Sequence, residues 1–323
     1  MSFKQAAPES VNSNSGQLVS RHDLIKIGSS QFVAGRFFFV GKKCCCLSYL
    51  TCLNRAAANL APLSAIRIQA KNAQNTMRIQ PVEFIDLPTP FGPMRTHLFR
   101  PAGTGNYPAV VLFSEIYQMT GPIARTAAIV AGHGYVVAVP EVYHEFASPG
   151  EVFAYDQLGT DRGNQLKTTK ELASYDADAV AVIDYARQLP FCNGRVATLG
   201  ICLGGHLAFR AAMNPNVQAG VCVYATDIHK RSLGNGQNDN TMARMGELRA
   251  EMMMVWGRQD PHIPLDGRRV IYNAMTSADV NFSWHEFNGE HAFLRDEGHR
   301  YDPSLSQLIF PVVFDLFHRR LLD

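Results

Sequence analysis

Residues 198–205 read Thr-Leu-Gly-Ile-Cys-Leu-Gly-Gly, and this octet decides the fold. Gly200, Cys202 and Gly204 fit the Gly-x-nucleophile-x-Gly pattern of a nucleophile elbow, with cysteine in the position where serine is more usual. An apolar run precedes the octet and a helix-like run follows it. The pattern therefore predicts a sharp strand-to-helix turn, where only residues without bulk tolerate the crowding on either side of the nucleophile.

The same turn would place Cys202 at the N-terminus of a helix. The positive end of the helix dipole lies there, and it favours a thiolate over a thiol. On the octet alone, an unreactive cysteine buried in a glycine-rich turn is the simpler interpretation. Residues further along the chain are needed to decide between these two interpretations.

Two polar residues downstream of Cys202 complete a pattern of acyl-transfer chemistry. Such a nucleophile needs a base, and the base needs a carboxylate that orients it. Asp260 follows an apolar strand predicted at residues 252–256, and His291 follows a strand predicted at residues 282–287. Because α/β-hydrolases carry nucleophile, acid and histidine in this chain order, the three positions predict that fold and a Cys-His-Asp triad.

The overall composition narrows the function classes. Of 323 residues, 46% are hydrophobic and 18% are charged, which is typical of a globular chain with a sizeable core. A formal net charge of +2 argues against a strongly charged partner such as nucleic acid. The seven cysteines are odd in number and three are adjacent, so a disulfide framework is not expected. No Cys-x-x-Cys or His-x-x-x-His pair occurs, and we expect a reducing compartment and neither metal nor cofactor.

The first 76 residues differ from the rest of the chain. They contain nine Lys and Arg residues and only two acidic residues, and they have no sustained helical or strand period. No run reaches the roughly 18 apolar residues that would cross a bilayer. We expect residues 1–76 to be a non-globular extension, either an organellar transit peptide or a segment without function. The protein would then lie in an organelle such as a plastid or mitochondrion, or otherwise in the cytoplasm. A basic arm that binds nucleic acid is a third interpretation, but the charges are scattered and not clustered.

From Met77 onward, strand and helix patterns alternate with short turns. This alternation predicts one domain at residues 77–323, with a mainly parallel central sheet flanked by helices. Two long loops, at residues 141–170 and 226–249, are expected to build or cover a pocket. Further strands are predicted at residues 82–86, 95–100, 107–113, 135–139 and 220–224, and helices at 123–131, 172–187, 270–275 and 305–317.

Four motifs together resemble one enzyme family. They are Ser-Glu-Ile-Tyr at residues 114–117, Gly-Ile-Cys-Leu-Gly-Gly at 200–205, Arg-Gln-Asp at 258–260 and His-Ala-Phe-Leu-Arg at 291–295. On these motifs, residues 81–319 resemble the dienelactone hydrolase (carboxymethylenebutenolidase) family of α/β-hydrolases. The resemblance implies hydrolysis of a small ester or lactone, with an acyl-thioester formed on the cysteine.

The resemblance also implies roles for individual residues. Glu115 matches a family glutamate that helps to generate the thiolate, and a buried carboxyl with a raised pKa suits that role. The backbone N–H groups of Ile116 and Leu203 would form the oxyanion hole. Arg295 matches an arginine that binds the substrate carboxylate through paired hydrogen bonds.

Two further substrate-binding residues are expected in the long loop at residues 141–170. Arg162 is the nearest candidate for a second family arginine, and an ordinary solvated arginine is the alternative. Tyr143 is a candidate pocket residue, and a tyrosine packed on the core is the alternative. The loop departs from the family at residues 143–145, where Tyr-x-Arg is expected and Tyr-His-Glu stands.

Other functions compatible with this sequence share the fold. A broader carboxylesterase or thioesterase would differ only in its pocket. A catalytically silent scaffold would bind a small ligand or a protein, and a thiol redox enzyme would need a second cysteine near Cys202. We expect a small-molecule ester or lactone substrate, no nucleic-acid partner, no membrane span, and a monomer or weak homodimer.

Overall fold

The computed structural model describes residues 78–322. The extension predicted at residues 1–76 lies outside the described residues. Within residues 78–322, no helix combines the length and the apolar character needed to cross a membrane.

The centre of the fold is one eight-stranded sheet. The strands are β1 (Glu83–Thr89), β2 (Gly92–Phe99), β3 (Tyr107–Phe113), β4 (Val136–Pro140), β5 (Cys192–Ile201), β6 (Val217–Val223), β7 (Glu251–Gly257) and β8 (Phe282–Phe287). They lie in the order β1-β2-β4-β3-β5-β6-β7-β8. The pairs β1–β2 and β2–β4 are antiparallel, and all the other neighbouring pairs are parallel.

Within residues 78–322, six α-helices connect and cover these strands. The helices are, in chain order, α1 (Gly121–Gly132), α2 (Gln157–Thr169), α3 (Leu172–Gln188), α4 (Leu203–Ala211), α5 (Leu265–Ser277) and α6 (Pro303–Leu321). Helix α3 packs against β5, α4 packs against β5 and β6, and α6 packs against β6. The sheet is therefore mainly parallel and flanked by helices, as the alternating pattern predicts.

Continuous apolar runs explain why the central strands lie inside the protein. Val110, Leu112 and Val221 are fully shielded from solvent, as expected for parallel strands covered on both faces. Burial of each such side chain contributes about 1.5–3 kcal/mol relative to exposure. The hydrophobic core therefore runs along both faces of the middle of the sheet.

Strand register brings the predicted polar residues to one edge of the sheet. Phe113 of β3 pairs with Gly200 of β5, and Gly257 of β7 pairs with Phe287 of β8. Because these parallel strands end at the same edge, the segments that follow them meet there. Those segments carry Glu115, Cys202, Asp260 and His291.

The two long loops are more ordered than the sequence predicts. The first contains helix α2, and the second contains a 3-10 helix at Met242–Glu247. Helix α2 was not predicted because it is largely polar and buries only Gly159, Gly163 and Leu166. The Asp156 side chain caps its start by accepting a hydrogen bond of 2.7 Å from the Gly159 N–H.

Candidate active site

The octet forms the tight turn that it predicts. Cys202 lies between β5 and α4 with a φ of 60°, a conformation that is strained for a residue other than glycine. A Cβ on Gly200 would lie 1.8 Å from the Gly204 carbonyl oxygen. A Cβ on Gly204 would lie 2.0 Å from the Phe113 carbonyl oxygen. The turn therefore requires glycine on both sides of the cysteine.

Cys202, His291 and Asp260 form one chain of hydrogen bonds. Nε2 of His291 lies 3.2 Å from Sγ of Cys202, and its Nδ1 lies 2.7 Å from Oδ2 of Asp260. The other oxygen of Asp260 accepts a 2.8 Å hydrogen bond from the backbone N–H of His262. All three side chains are buried. The arrangement can orient the imidazole and exchange a proton with the sulfur.

The groups around His291 favour the charged form of its imidazole. Burial disfavours the cation, but the interactions of the imidazole with Cys202 and Asp260 outweigh the effect of burial and raise the pKa of His291 to about 10. His262 packs edge-on against His291, with ring centres 4.6 Å apart. Burial and the charge of His291 lower the pKa of His262, so the second imidazole stays neutral.

Glu115 follows β3 and lies deep in the same site, with only 2% of its surface exposed. Burial raises the pKa of this carboxyl, although Arg295, the Tyr155 hydroxyl and His291 act in the opposite direction. Tyr155 donates a 2.8 Å hydrogen bond to Oε2 of Glu115. Among the described residues, no hydrogen bond joins Glu115 to Cys202. The structure thus brings the glutamate to the site with a tyrosine as its partner.

Ile116 and Leu203, whose backbone N–H groups are predicted to form the oxyanion hole, follow β3 and β5 respectively. Ile116 lines the cavity beside Cys202. Leu203 is the first residue of α4, and the N–H groups of the first helical turn have no partner within the helix. Both N–H groups therefore belong to segments that flank the sulfur.

A cavity of about 290 Å³ opens beside Cys202. Its lining is rich in basic side chains, and among the described residues no carboxylate oxygen lies within 4.0 Å of Lys230, Arg295 or Arg300. Lys167 is paired with Asp227 at 2.8 Å. Within residues 78–322, no three His, Cys, Asp or Glu side chains group as metal ligands would. The lining residues are Glu115, Ile116, Tyr117, Thr160, Asn164, Lys167, Cys202, Thr226, Asp227, Lys230, His262, His291, Ala292, Arg295 and Arg300.

The structure places Arg162 and Tyr143 outside this lining. Arg162 donates a 3.1 Å hydrogen bond to the Phe146 carbonyl. Tyr143 is fully buried and donates a 3.1 Å hydrogen bond to the Gly163 carbonyl, which matches the alternative of a tyrosine packed on the core. Neither side chain therefore has a contact in the cavity that would support its predicted role in substrate binding.

Helix α2 contributes residues to the cavity lining that no sequence motif identified. Thr160, Asn164 and Lys167 line the cavity at the spacing i, i+4 and i+7, which places them on one helical face. Arg162 lies two residues after Thr160 and therefore on another face. The sequence contains this i, i+4, i+7 spacing, but the spacing indicates a shared face only if the segment is known to be a helix. Tyr155, Lys230 and Arg300 carry no local signal of a role.

Comparisons with known proteins identify the family of the chain. The profile of the Dienelactone hydrolase family matches residues 94–321. A Saccharomyces cerevisiae protein provisionally named carboxymethylenebutenolidase is 41% identical over 250 residues, which cover 74% of this chain and 91% of that protein. The carboxymethylenebutenolidase of Pseudomonas sp. strain P51 is 27% identical over 216 residues, covering 67% of this chain and 86% of the relative.

A solved structure shows the same fold. The crystal structure of a protein from Klebsiella pneumoniae, provisionally titled a dienelactone hydrolase, superposes with a TM-score of 0.65 at 21% identity. The match covers 74% of this chain and 98% of that one. The fold is that of an α/β-hydrolase. The chain belongs to the dienelactone hydrolase family, which makes it a hydrolase of ester or lactone bonds and confirms the resemblance read from the four motifs.

Proposed function

We propose that the protein hydrolyses a small ester or lactone through a triad of Cys202, His291 and Asp260, with an acyl-thioester intermediate. The observation that carries this proposal is the 3.2 Å distance between Sγ of Cys202 and Nε2 of His291, beside an open cavity. Asp260 holds the imidazole through Nδ1, so Nε2 faces the sulfur.

In the first half-reaction, the thiolate sulfur attacks the substrate carbonyl carbon. The N–H groups of Ile116 and Leu203 stabilise the oxyanion of the tetrahedral intermediate. The carbon–oxygen bond of the ester then breaks, and the alkoxide leaving group takes a proton from the His291 imidazolium. Cys202 is left as a thioester and His291 as a neutral base.

In the second half-reaction, neutral His291 accepts a proton from water, and the resulting hydroxide attacks the thioester carbonyl. The carbon–sulfur bond breaks, which releases the carboxylic acid and restores the thiolate and the imidazolium. Glu115 acts as a further proton acceptor when Cys202 is a thiol. Its burial next to the cavity supports that role, because burial raises the pKa of the carboxyl and so makes the carboxylate a stronger base.

The cavity favours a substrate that carries a negative charge. Arg295 is the family-matched arginine, and it lines the cavity together with Lys230 and Arg300. A guanidinium fork binds a carboxylate through two hydrogen bonds. This charge distribution favours an anionic ester or lactone over the neutral substrates of a broad carboxylesterase.

Acyl-enzyme trapping tests the proposal. Full-length protein is mixed with 4-nitrophenyl acetate, quenched in acid and analysed by intact and peptide mass spectrometry. We expect one acetyl group on Cys202, and neither acetylation there nor hydrolysis in Cys202→Ala.

Cys192→Ala is the matched control, because Cys192 begins the same strand and lies partly buried at the opposite end. This variant should hydrolyse the ester at the normal rate. Full hydrolysis by Cys202→Ala, or an acetyl group on a hydroxyl residue, would rule out the cysteine mechanism.

A further inference from the structure

Tyr155 contacts two residues of the proposed site without lining the cavity itself. It lies between β4 and α2, and its hydroxyl donates a 2.8 Å hydrogen bond to Oε2 of Glu115. The guanidinium carbon of Arg295 lies 4.2 Å from the centre of its ring. One side chain therefore joins the buried carboxylate to the arginine proposed to bind substrate.

Neighbouring residues hold the Tyr155 side chain in place. Tyr117 packs edge-on against its ring, with ring centres 4.7 Å apart. Oγ1 of Thr120 lies 2.8 Å from the phenol oxygen. Because the phenol proton points to Glu115, the Thr120 hydroxyl is the donor in this second bond. The next residue, Asp156, is the cap of α2, so the backbone is held as well.

The hydrogen bond matters because Glu115 is buried. A carboxylate removed from water is costly unless donors replace the lost hydration. Burial and the charge of Glu115 raise the pKa of Tyr155, so its hydroxyl stays protonated and remains a donor. The guanidinium on the ring face gains from the same residue by a cation–π contact.

We propose that Tyr155 is a positioning residue that holds the Glu115 carboxylate with its hydroxyl and the Arg295 guanidinium with its ring. The proposal rests on the proposed function. It deepens that function, because Tyr155 touches neither the sulfur nor the cavity and yet sets the position of a proton acceptor and of an anion-binding group. The other titratable groups that face Glu115 are His291, Arg295, Arg300 and Tyr224.

Two substitutions separate the roles of the hydroxyl and the ring. Tyr155→Phe keeps the ring and removes the donor, whereas Tyr155→Leu removes both. Each variant of the full chain is assayed from pH 5 to pH 9 with neutral 4-nitrophenyl acetate and with the anionic mono-4-nitrophenyl succinate.

For Tyr155→Phe we expect kcat to fall about tenfold on both esters, the size typical of losing a hydrogen bond to a charged group. The acid limb of the pH profile should move to higher pH, because loss of the donor raises the pKa of Glu115 further. KM for the succinate ester should not change. For Tyr155→Leu we expect, in addition, a rise in KM for the succinate ester alone.

Control variants guard against a purely structural effect. Tyr272→Phe removes a hydroxyl from a ring on α5 that packs against Phe282 and Trp284, and it should leave both assays unchanged. Thr120→Val keeps Tyr155 and removes the donor to its phenol oxygen, so the acid limb should shift in the same direction by less. If Tyr155→Leu does not fold, Tyr155→Met removes the ring in its place, because Thr120→Val leaves the ring intact.

A Tyr155→Phe profile with the normal acid limb and normal kcat would show that Tyr155 only fills space. An equal rise in KM for both esters in Tyr155→Leu would show that the ring does not hold Arg295. Either result, with hydrolysis still abolished in Cys202→Ala, overturns the role of Tyr155 alone. Full hydrolysis in Cys202→Ala overturns the proposed function instead.

Discussion

A methyl group on Gly200 would lie 1.8 Å from the carbonyl oxygen of Gly204. Neither backbone can move away easily, since Gly200 belongs to β5 in the middle of the sheet and Gly204 lies in the first turn of α4. The two glycines thus allow the strand and the helix to meet closely, with Cys202 at the turn between them and in the lining of the cavity.

Gly200→Ala should therefore destabilise the whole domain. We expect the free energy of unfolding to fall by about 3 kcal/mol, because the added carbon must displace backbone and not a flexible side chain. Urea unfolding followed by circular dichroism measures the change. Gly246→Ala is the control, since a Cβ there meets no atom within 4 Å and should have little effect. Equal stability of the two variants would contradict the crowding argument.

The protonation of His291 should depend on the sulfur of Cys202. Burial disfavours the imidazolium, but the thiolate and Asp260 raise the pKa of His291 to about 10. Cys202→Ala removes one of the two partners that favour the cation, so the pKa of His291 should fall and the ring should lose its proton at lower pH. NMR titration of the imidazole Cε1–H measures this shift. A pKa of His291 that is the same in both proteins would mean that the sulfur carries no negative charge.

Arg295→Met should impair binding of anionic substrates in particular. Loss of a charge-assisted hydrogen bond corresponds to about tenfold or more in affinity. We expect KM for mono-4-nitrophenyl succinate to rise by that factor, with KM for 4-nitrophenyl acetate unchanged. Arg162→Met is the matched control, because that guanidinium donates to the Phe146 carbonyl outside the cavity lining. An equal rise in KM in the Arg162 variant would restore Arg162 as a substrate-binding residue.

Lys170→Met should destabilise the segment that carries α2. Lys170 is fully buried between α2 and α3, and its Nζ lies 2.9 Å from Asp178 and 2.6 Å from Ser174 and also contacts Glu145. Removing the cation leaves two carboxylates without their shared partner, at a cost of about 3–5 kcal/mol. Urea unfolding measures the loss. The triple variant with Glu145→Gln and Asp178→Asn should recover most of it, and no recovery would argue against a charge effect.

The fold class and the candidate triad could be predicted from the amino-acid sequence. The octet around Cys202 needs only local sterics to predict a turn, and Asp260 and His291 are recognisable because they follow apolar strands. Parallel strands end at one edge of their sheet, so residues at successive strand ends meet even when they are far apart in the chain. Local patterns were therefore sufficient to select Cys202, Asp260 and His291 as candidates, whereas Glu115 was selected through the family resemblance.

The side chains that surround the candidate site could be identified only from the tertiary structure. Tyr155 and Lys167 come from a segment with no apolar period, and its path depends on distant contacts such as those of Lys170 with Asp178 on α3. The position of Arg162 in the chain predicts a substrate-binding arginine. In the structure, however, the face of α2 that lines the cavity carries Thr160, Asn164 and Lys167. Side chains on a loop take their direction from the surfaces against which the loop packs, and no local pattern encodes those surfaces.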